Sequence, residues 1–440
     1  MRTDSTPIHL RLPTIASVIL AFSISTPAIS FSQAATIGIP QYQPQQPAGT
    51  ESYRQGLTAL AQGKIKRAKR AFQEVINEVP THVGAILGLA EIAWKEKDHT
   101  NVKHYLQKAV KLAPKNALVH QAWGKHLIQQ GRFHEAEEAL KKGIALEPKQ
   151  VRIHVQLGDL YLQLLREPKK AIQAYREALI LDPSHASAHY GLGMAHFALQ
   201  QVQEAKVALK KATNLTPKNP LPFYSLGRLY MIQQTFDQAL DAFGTAIQLQ
   251  PNFVEAHIAI GDAYINQQKD AKALAAYEHA KSLAPKVGGI YVKLGLVHER
   301  NQRIDKAAEA FEQAITLDPK QSIAFNNLAW IAAQKNTRLN EALEWAQKAV
   351  ALAPKVSAFQ DTLGWIHRMR GELDKAADAL HTASGIKPEL PDIYYHLGIV
   401  ETERGNTEDA ITALARALEI DEHFANSEDA QERLNVLRAQ

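Results

Sequence analysis

Residues 220–253 read PLPFYSLGRLYMIQQTFDQALDAFGTAIQLQPNF. Within them Phe223, Leu226, Gly227 and Tyr230 fall at i, i+3, i+4 and i+7, the spacing that lines one face of a helix. Ala239, Phe243 and Ala246 line a second face at i, i+4 and i+7, and Pro251 stands where that helix must stop. Gly227, Ala239 and Ala246 are small where two helix backbones would approach closely, since a larger side chain there would overpack the pair by about 1–3 kcal/mol. The stretch predicts an antiparallel helical hairpin.

Working outward, the same proline returns as Pro80, Pro114, Pro148, Pro183, Pro217, Pro285, Pro319, Pro354 and Pro388. The interval is 34 residues, or 35 from Pro148 to Pro183 and from Pro319 to Pro354. Counting back from each proline places Gly56, Gly124, Gly158, Gly193, Gly227, Gly261, Gly295, Gly364 and Gly398 in one row, with Ala90 and Ala329 in copies two and nine. A second row holds Ala68, Ala136, Ala171, Ala205, Ala239, Ala273, Ala307, Ala342, Ala376 and Ala410, broken only by Val102. This period, with large apolar, Leu, Gly, Tyr, Ala, Phe, Ala and Pro at fixed offsets, resembles the tetratricopeptide repeat. The resemblance covers residues 49–424 in eleven copies, Glu422 replacing the proline of the last. It implies an all-α fold, a right-handed α-solenoid of about eleven antiparallel helix pairs. Each hairpin then buries its apolar face against its neighbours rather than in one central core.

Lys+Arg (50) exceed Asp+Glu (45) by only 5, and the densest basic group, Lys64, Lys66, Arg67 and Arg70, alternates with other residues as on a solvated helix face. Such a balance argues against nucleic acid as a partner. Cysteine is absent, which excludes disulfides and thiolate metal sites.

Arg2 and Arg11 precede the apolar run Ile15 to Phe22, and small and polar residues follow through Ala34. This order is that of a secretory signal peptide, with cleavage expected after Ala34 and Ser30 as the alternative. The core is short for a transmembrane helix, which needs about 20 apolar residues, and an uncleaved membrane anchor is the alternative. Residues 35–48 are rich in Pro and Gln and read as a linker. The chain is thus expected in the periplasm or secreted, with no membrane span once the leader is removed.

Gly63, Gly131, Gly371 and Gly405, with Asn336 in copy nine, occupy the turn between the two helices of a copy, where a left-handed residue closes a helix. The two copies of 35 residues carry their extra residue near this turn, at Leu165–Pro168 and at Lys335–Arg338, so the expected place for it is a loop. Asn219-Pro220 reads as a cap followed by a first-turn proline. Residues 425–440 form the last segment, in which Asn426 to Asp429 start a helix. Its stripe Ala430, Leu434 and Leu437 should cover the final hairpin as a capping helix.

Catalytic motifs are not met. Gly191-Leu192-Gly193 lies inside a helix rather than between strand and helix. His134-Glu135 would need His at 138, where Glu138 stands. His185 and His189 are four apart but fall in an inter-repeat turn and at the large-residue position. No enzyme activity, cofactor or metal is expected.

In the resembled family the first helices line a concave face on which a peptide or an extended partner segment lies. Carried over by position, that face includes Leu57, Leu60, Leu87, Glu91, Trp94, Lys125 and Gln129 in copies one to three. Copies five and six give Tyr190, Met194, Phe197, Tyr224, Arg228 and Met231. The last copies give Arg300, Asn326, Trp330, Asp361, Trp365, Arg368 and Tyr395, the best partner-site candidates because Trp, Tyr and Arg dominate binding hot spots. A tryptophan there could equally pack on the neighbouring helix. Two partner classes remain open. The chain is a scaffold for proteins of an envelope assembly or export complex, or it binds an exported polysaccharide with Trp330, Trp365, Tyr190 and Tyr224 as stacking platforms. The second draws on the similarity of Asn327–Trp330 and Asp361–Trp365 to segments of bacterial secreted repeat proteins, some linked to exopolysaccharide export.

Overall fold

The computed structural model describes residues 50–439. The expected leader (1–34) and linker (35–48), with residues 49 and 440, lie outside the described residues. Twenty-three α-helices and no strand are present among the described residues, an all-α fold of the α-solenoid class. They form two compact units, divided between Pro251 and Asn252. The first holds six hairpins, from Thr50–Ala61 with Ile65–Glu78 to Pro220–Ile232 with Phe236–Leu249. The second holds five, from Val254–Asn266 with Asp270–Leu283 to Pro391–Arg404 with Thr407–Ile420, and then Ser427–Arg438. Within each unit a helix packs on its hairpin partner and on the first helix of the next copy.

The small-residue rows do what their spacing predicts. Every alanine of the second row, and Val102, is fully buried. A Cβ added to Gly227 would lie 2.5 Å from the Phe243 ring, and one on Gly261 would lie 2.3 Å from the Tyr277 ring, far inside contact distance. The glycines therefore accept a large side chain from the second helix of their own copy. The residue opposite a glycine is Phe, Tyr or Leu; where alanine replaces glycine the register sets Leu106 against Ala90 and the smaller Ala346 against Ala329.

At the turn within each copy the left-handed residue is universal, while glycine is not. Gly63, Gly131, Gly371 and Gly405 have φ between 70° and 82°, but Lys97, Arg166, Gln200, Gln234, Gln268, Gln302 and Asn336 take the same place with φ of 50–59°. A residue with a Cβ pays about 1–2 kcal/mol for that conformation, less the unfolded-state entropy that glycine brings. Replacing Gln200, Gln234, Gln268 and Gln302 together by Gly should stabilise the chain by about 1 kcal/mol per turn. Urea unfolding reads this as a raised midpoint; an unchanged or lowered midpoint would refute it.

The two longer copies absorb their extra residue differently. In copy nine it lies in the turn, as expected, where Asn336 and Arg338 are both left-handed. In copy four the loop expectation fails. Helix Val151–Asp159 widens into a π turn, Leu160–Leu164, and the Leu165 amide donates to the Leu160 carbonyl at 3.0 Å. Leu160 and Tyr161 are buried, so the helix holds the extra residue in its last turn and keeps these side chains inside. Helix Ser427–Arg438 buries Ala430, Leu434 and Leu437 as expected. Asn426, however, makes no side-chain cap, whereas Asn219 Oδ1 accepts from the Leu221 amide at 3.1 Å.

Candidate partner-binding faces

In the first unit, helices Ala186–Ala198 and Pro220–Ile232 start from defined caps. His185 Nδ1 accepts from the Ala188 amide at 3.2 Å, and Asn219 with Pro220 starts the other. His189 Nε2 donates to the Pro183 carbonyl at 2.9 Å, so both histidines of that pair serve the backbone. These helices bring Tyr190, Phe197, Tyr224 and Arg228 together. The Arg228 guanidinium lies 5.1 Å from the Phe197 ring centre and 6.0 Å from that of Tyr224. The Tyr190 and Ser225 hydroxyls are 3.2 Å apart. Burial pushes the Tyr190 hydroxyl pKa up, while the Ser225 bond and the charge of Arg228 act in the opposite direction. Tyr190, Phe197, Tyr224, Arg228 and Met231 are all half-buried and Ile232 is exposed, so this apolar and aromatic surface is open. Earlier in the unit, Lys125 lies over the Trp94 ring at 4.4 Å and pairs with buried Glu91 at 3.5 Å.

In the second unit the sequence candidates converge on a residue that sequence reasoning missed. His396 Nδ1 meets Asp361 Oδ1 at 2.7 Å, and the His396 ring lies 4.4 Å from that of Trp365, 5.7 Å from Tyr395 and 6.3 Å from Trp330. A signal for it existed: in the register His396 follows Asn327 and Thr362 at one first-helix position, a run of buried polar residues. Arg368 stacks on Trp365 at 4.5 Å and forks onto Glu403 at 3.0 Å, and Arg300 pairs with Asp270 at 3.2 Å. Asn326 donates to Asn327 at 3.2 Å.

Burial removes four of these candidates from the expected contact surface, Asn326, Trp330, Trp365 and Tyr395, while Asp361 and Arg368 are half-buried and Arg300 is exposed. Trp330 and Tyr395 are only 2% exposed, Asn326 2% and Trp365 6%. The capping helix explains Tyr395, whose hydroxyl donates to Asp429 at 2.7 Å beside the Phe424 ring. The two tryptophans, from copies nine and ten, pack around His396 of copy eleven. Among the described residues no group of three His, Asp or Glu side chains is arranged to hold a metal, and no helix is long and apolar enough to cross a membrane.

Family models described as tetratricopeptide repeats match residues 59–125, 122–179, 164–226, 254–287, 292–357 and 362–423, and one described as TPR repeat matches 227–268. The chain belongs to the tetratricopeptide repeat family. This tetratricopeptide repeat chain is similar to a probable UDP-N-acetylglucosamine–peptide N-acetylglucosaminyltransferase SPINDLY of Hordeum vulgare. The two are 27% identical over 167 residues, 37% of this chain and 18% of that protein. The chain spans less than a fifth of the length of the curated relatives it matches. Among solved structures it is similar to the APC/C hetero-tetramer Cut9–Hcn1, at 15% identity and a TM-score of 0.48, over 89% of this chain and 96% of that one. It is also similar to YrrB, a TPR protein with an unusual peptide-binding site, at 26% identity and a TM-score of 0.37, over 43% of this chain and 96% of that one.

Proposed function

We propose that this chain is a non-enzymatic adaptor of the bacterial cell envelope, holding an extended segment of a partner protein of an assembly or export complex along its first helices. The observation that carries this reading is the open aromatic and cationic surface of Tyr190, Phe197, Tyr224 and Arg228. Rings and a guanidinium are the groups that anchor protein interfaces. Each described helix belongs to a hairpin or to the cap, which supports a role in holding rather than in turnover. The envelope part of the proposal rests on the leader-like residues 1–34. The polysaccharide reading loses two of its four platforms, because Trp330 and Trp365 are inside.

A photo-crosslinking amino acid at Tyr224, introduced in cells, tests the adaptor. A discrete adduct that contains a second protein is expected, absent when the same group replaces Val207, which is 72% exposed on a second helix. Adducts that are no different at the two positions would sink the assignment. Sequencing the mature N-terminus tests the address: a cellular chain still starting at Met1 would end the reading of export with cleavage.

A further inference from the structure

We propose that Arg228 receives a carboxylate, so that the segment bound on helices Ala186–Ala198 and Pro220–Ile232 is an acidic peptide carrying an apolar side chain next to its acid. This deepens the adaptor reading and rests on it. The first-helix cations differ in their company. Arg300 has Asp270, Arg368 has Glu403, Lys293 has Asp262 at 2.6 Å and Lys125 has Glu91. Arg228 has the Phe197 and Tyr224 rings and, among the described residues, no carboxylate within ion-pair distance.

A guanidinium stays charged at any physiological pH, and its five donors lie in its plane. Packing against two rings supports that plane without using the donors on its edge, which fit the two oxygens of a carboxylate. The half-buried Tyr190 hydroxyl lies on the same face and is held by the buried Ser225 hydroxyl at 3.2 Å. Beside this cation Phe197 and Tyr224 are half-buried, and Met231 and the exposed Ile232 follow it at i+3 and i+4 on the same helix. One charge on an apolar floor suits an isolated acid flanked by apolar side chains. Nucleic acid or a polyuronate, with a charge on every unit, would call for a row of cations.

The test uses the full chain and fluorescein-labelled pools of short random peptides with Asp, Asn or Lys fixed at one position, read by fluorescence anisotropy. The Asp pool should bind about 10- to 100-fold more tightly than the Asn pool, the range for a hydrogen-bonded charge. Arg228→Gln should erase that preference, and Arg228→Glu should transfer it to the Lys pool; Arg228→Lys, which keeps the charge, should retain part of it. Equal binding of Asp and Asn pools, a preference that survives Arg228→Gln, or displacement of the Asp pool by oligogalacturonate would each overturn the carboxylate assignment alone. If the unaltered chain binds none of the pools, the adaptor reading falls and this assignment falls with it.

Discussion

Replacing Phe311 by Ala should lower the unfolding free energy by about 3–5 kcal/mol. The ring is fully buried, and it fills the space that Gly295 leaves on the facing helix: a Cβ at Gly295 would lie 2.5 Å from Phe311 Cε1. No neighbour can close that space without moving a helix, so the cost includes the cavity as well as the lost burial. The opposite change, Gly295→Ala, should cost about 1–3 kcal/mol by overpacking. Copy two, with Ala90 opposite Leu106, indicates how the pair can be retuned. The double variant Gly295→Ala, Phe311→Leu should therefore lose less than the sum of its single changes. Urea denaturation of the four proteins gives the coupling; strict additivity would show that the two positions do not share one space.

Glu299→Gln should remove a pH dependence of stability of order 3 kcal/mol. Burial on helix Gly288–Arg300 raises the Glu299 carboxyl from its ordinary 4.5 to about 7, and burial is its one cause. Between those values the folded chain binds more protons at this site than the unfolded chain does. Its contribution to stability is thus fully present below about 4.5, declines as pH rises towards 7, and stays lost above. Neighbouring His298 works the other way: burial lowers its pKa from the ordinary 6.5, so its contribution is present above that value and is lost as pH falls below it. Comparing urea midpoints of the unaltered chain and Glu299→Gln at pH 5 and pH 8 isolates the glutamate. The variant should gain stability chiefly at pH 8, and an equal difference at both values would disprove the linkage.

The hairpins were legible because their determinants are local and repeated. Gly227, Ala239 and Pro251 each state a steric requirement that needs no knowledge of neighbours, and their recurrence multiplies the signal. The turns were half legible: Gly63 and Gly131 announce a left-handed residue, but Gln200 and Gln234 adopt it because two packed helices force the chain round, whatever the side chain prefers. The π turn at Leu160–Leu164 was illegible, since an extra residue can enter a loop or a helix and only the burial of Leu160 and Tyr161 selects the helix. Exposure was the hardest property to read. Position alone puts Trp365 and Tyr224 on the same face, yet the His396 ring and the cap bury the C-terminal cluster, while Tyr224 stays half open. What covers a side chain comes from other copies, and a repeat consensus describes one copy at a time.

The left-handed turn residues leave the chain with an unplanned convenience. Gln200 and Gln234 in the first unit, and Gln268 and Gln302 in the second, are exposed and recur at one-copy intervals. Because the sequence contains no cysteine, a thiol introduced at any of them would be unique. Pairs of such thiols carrying dyes or spin labels would serve as a ruler inside each unit, reporting any stretching of the stack when a partner is bound.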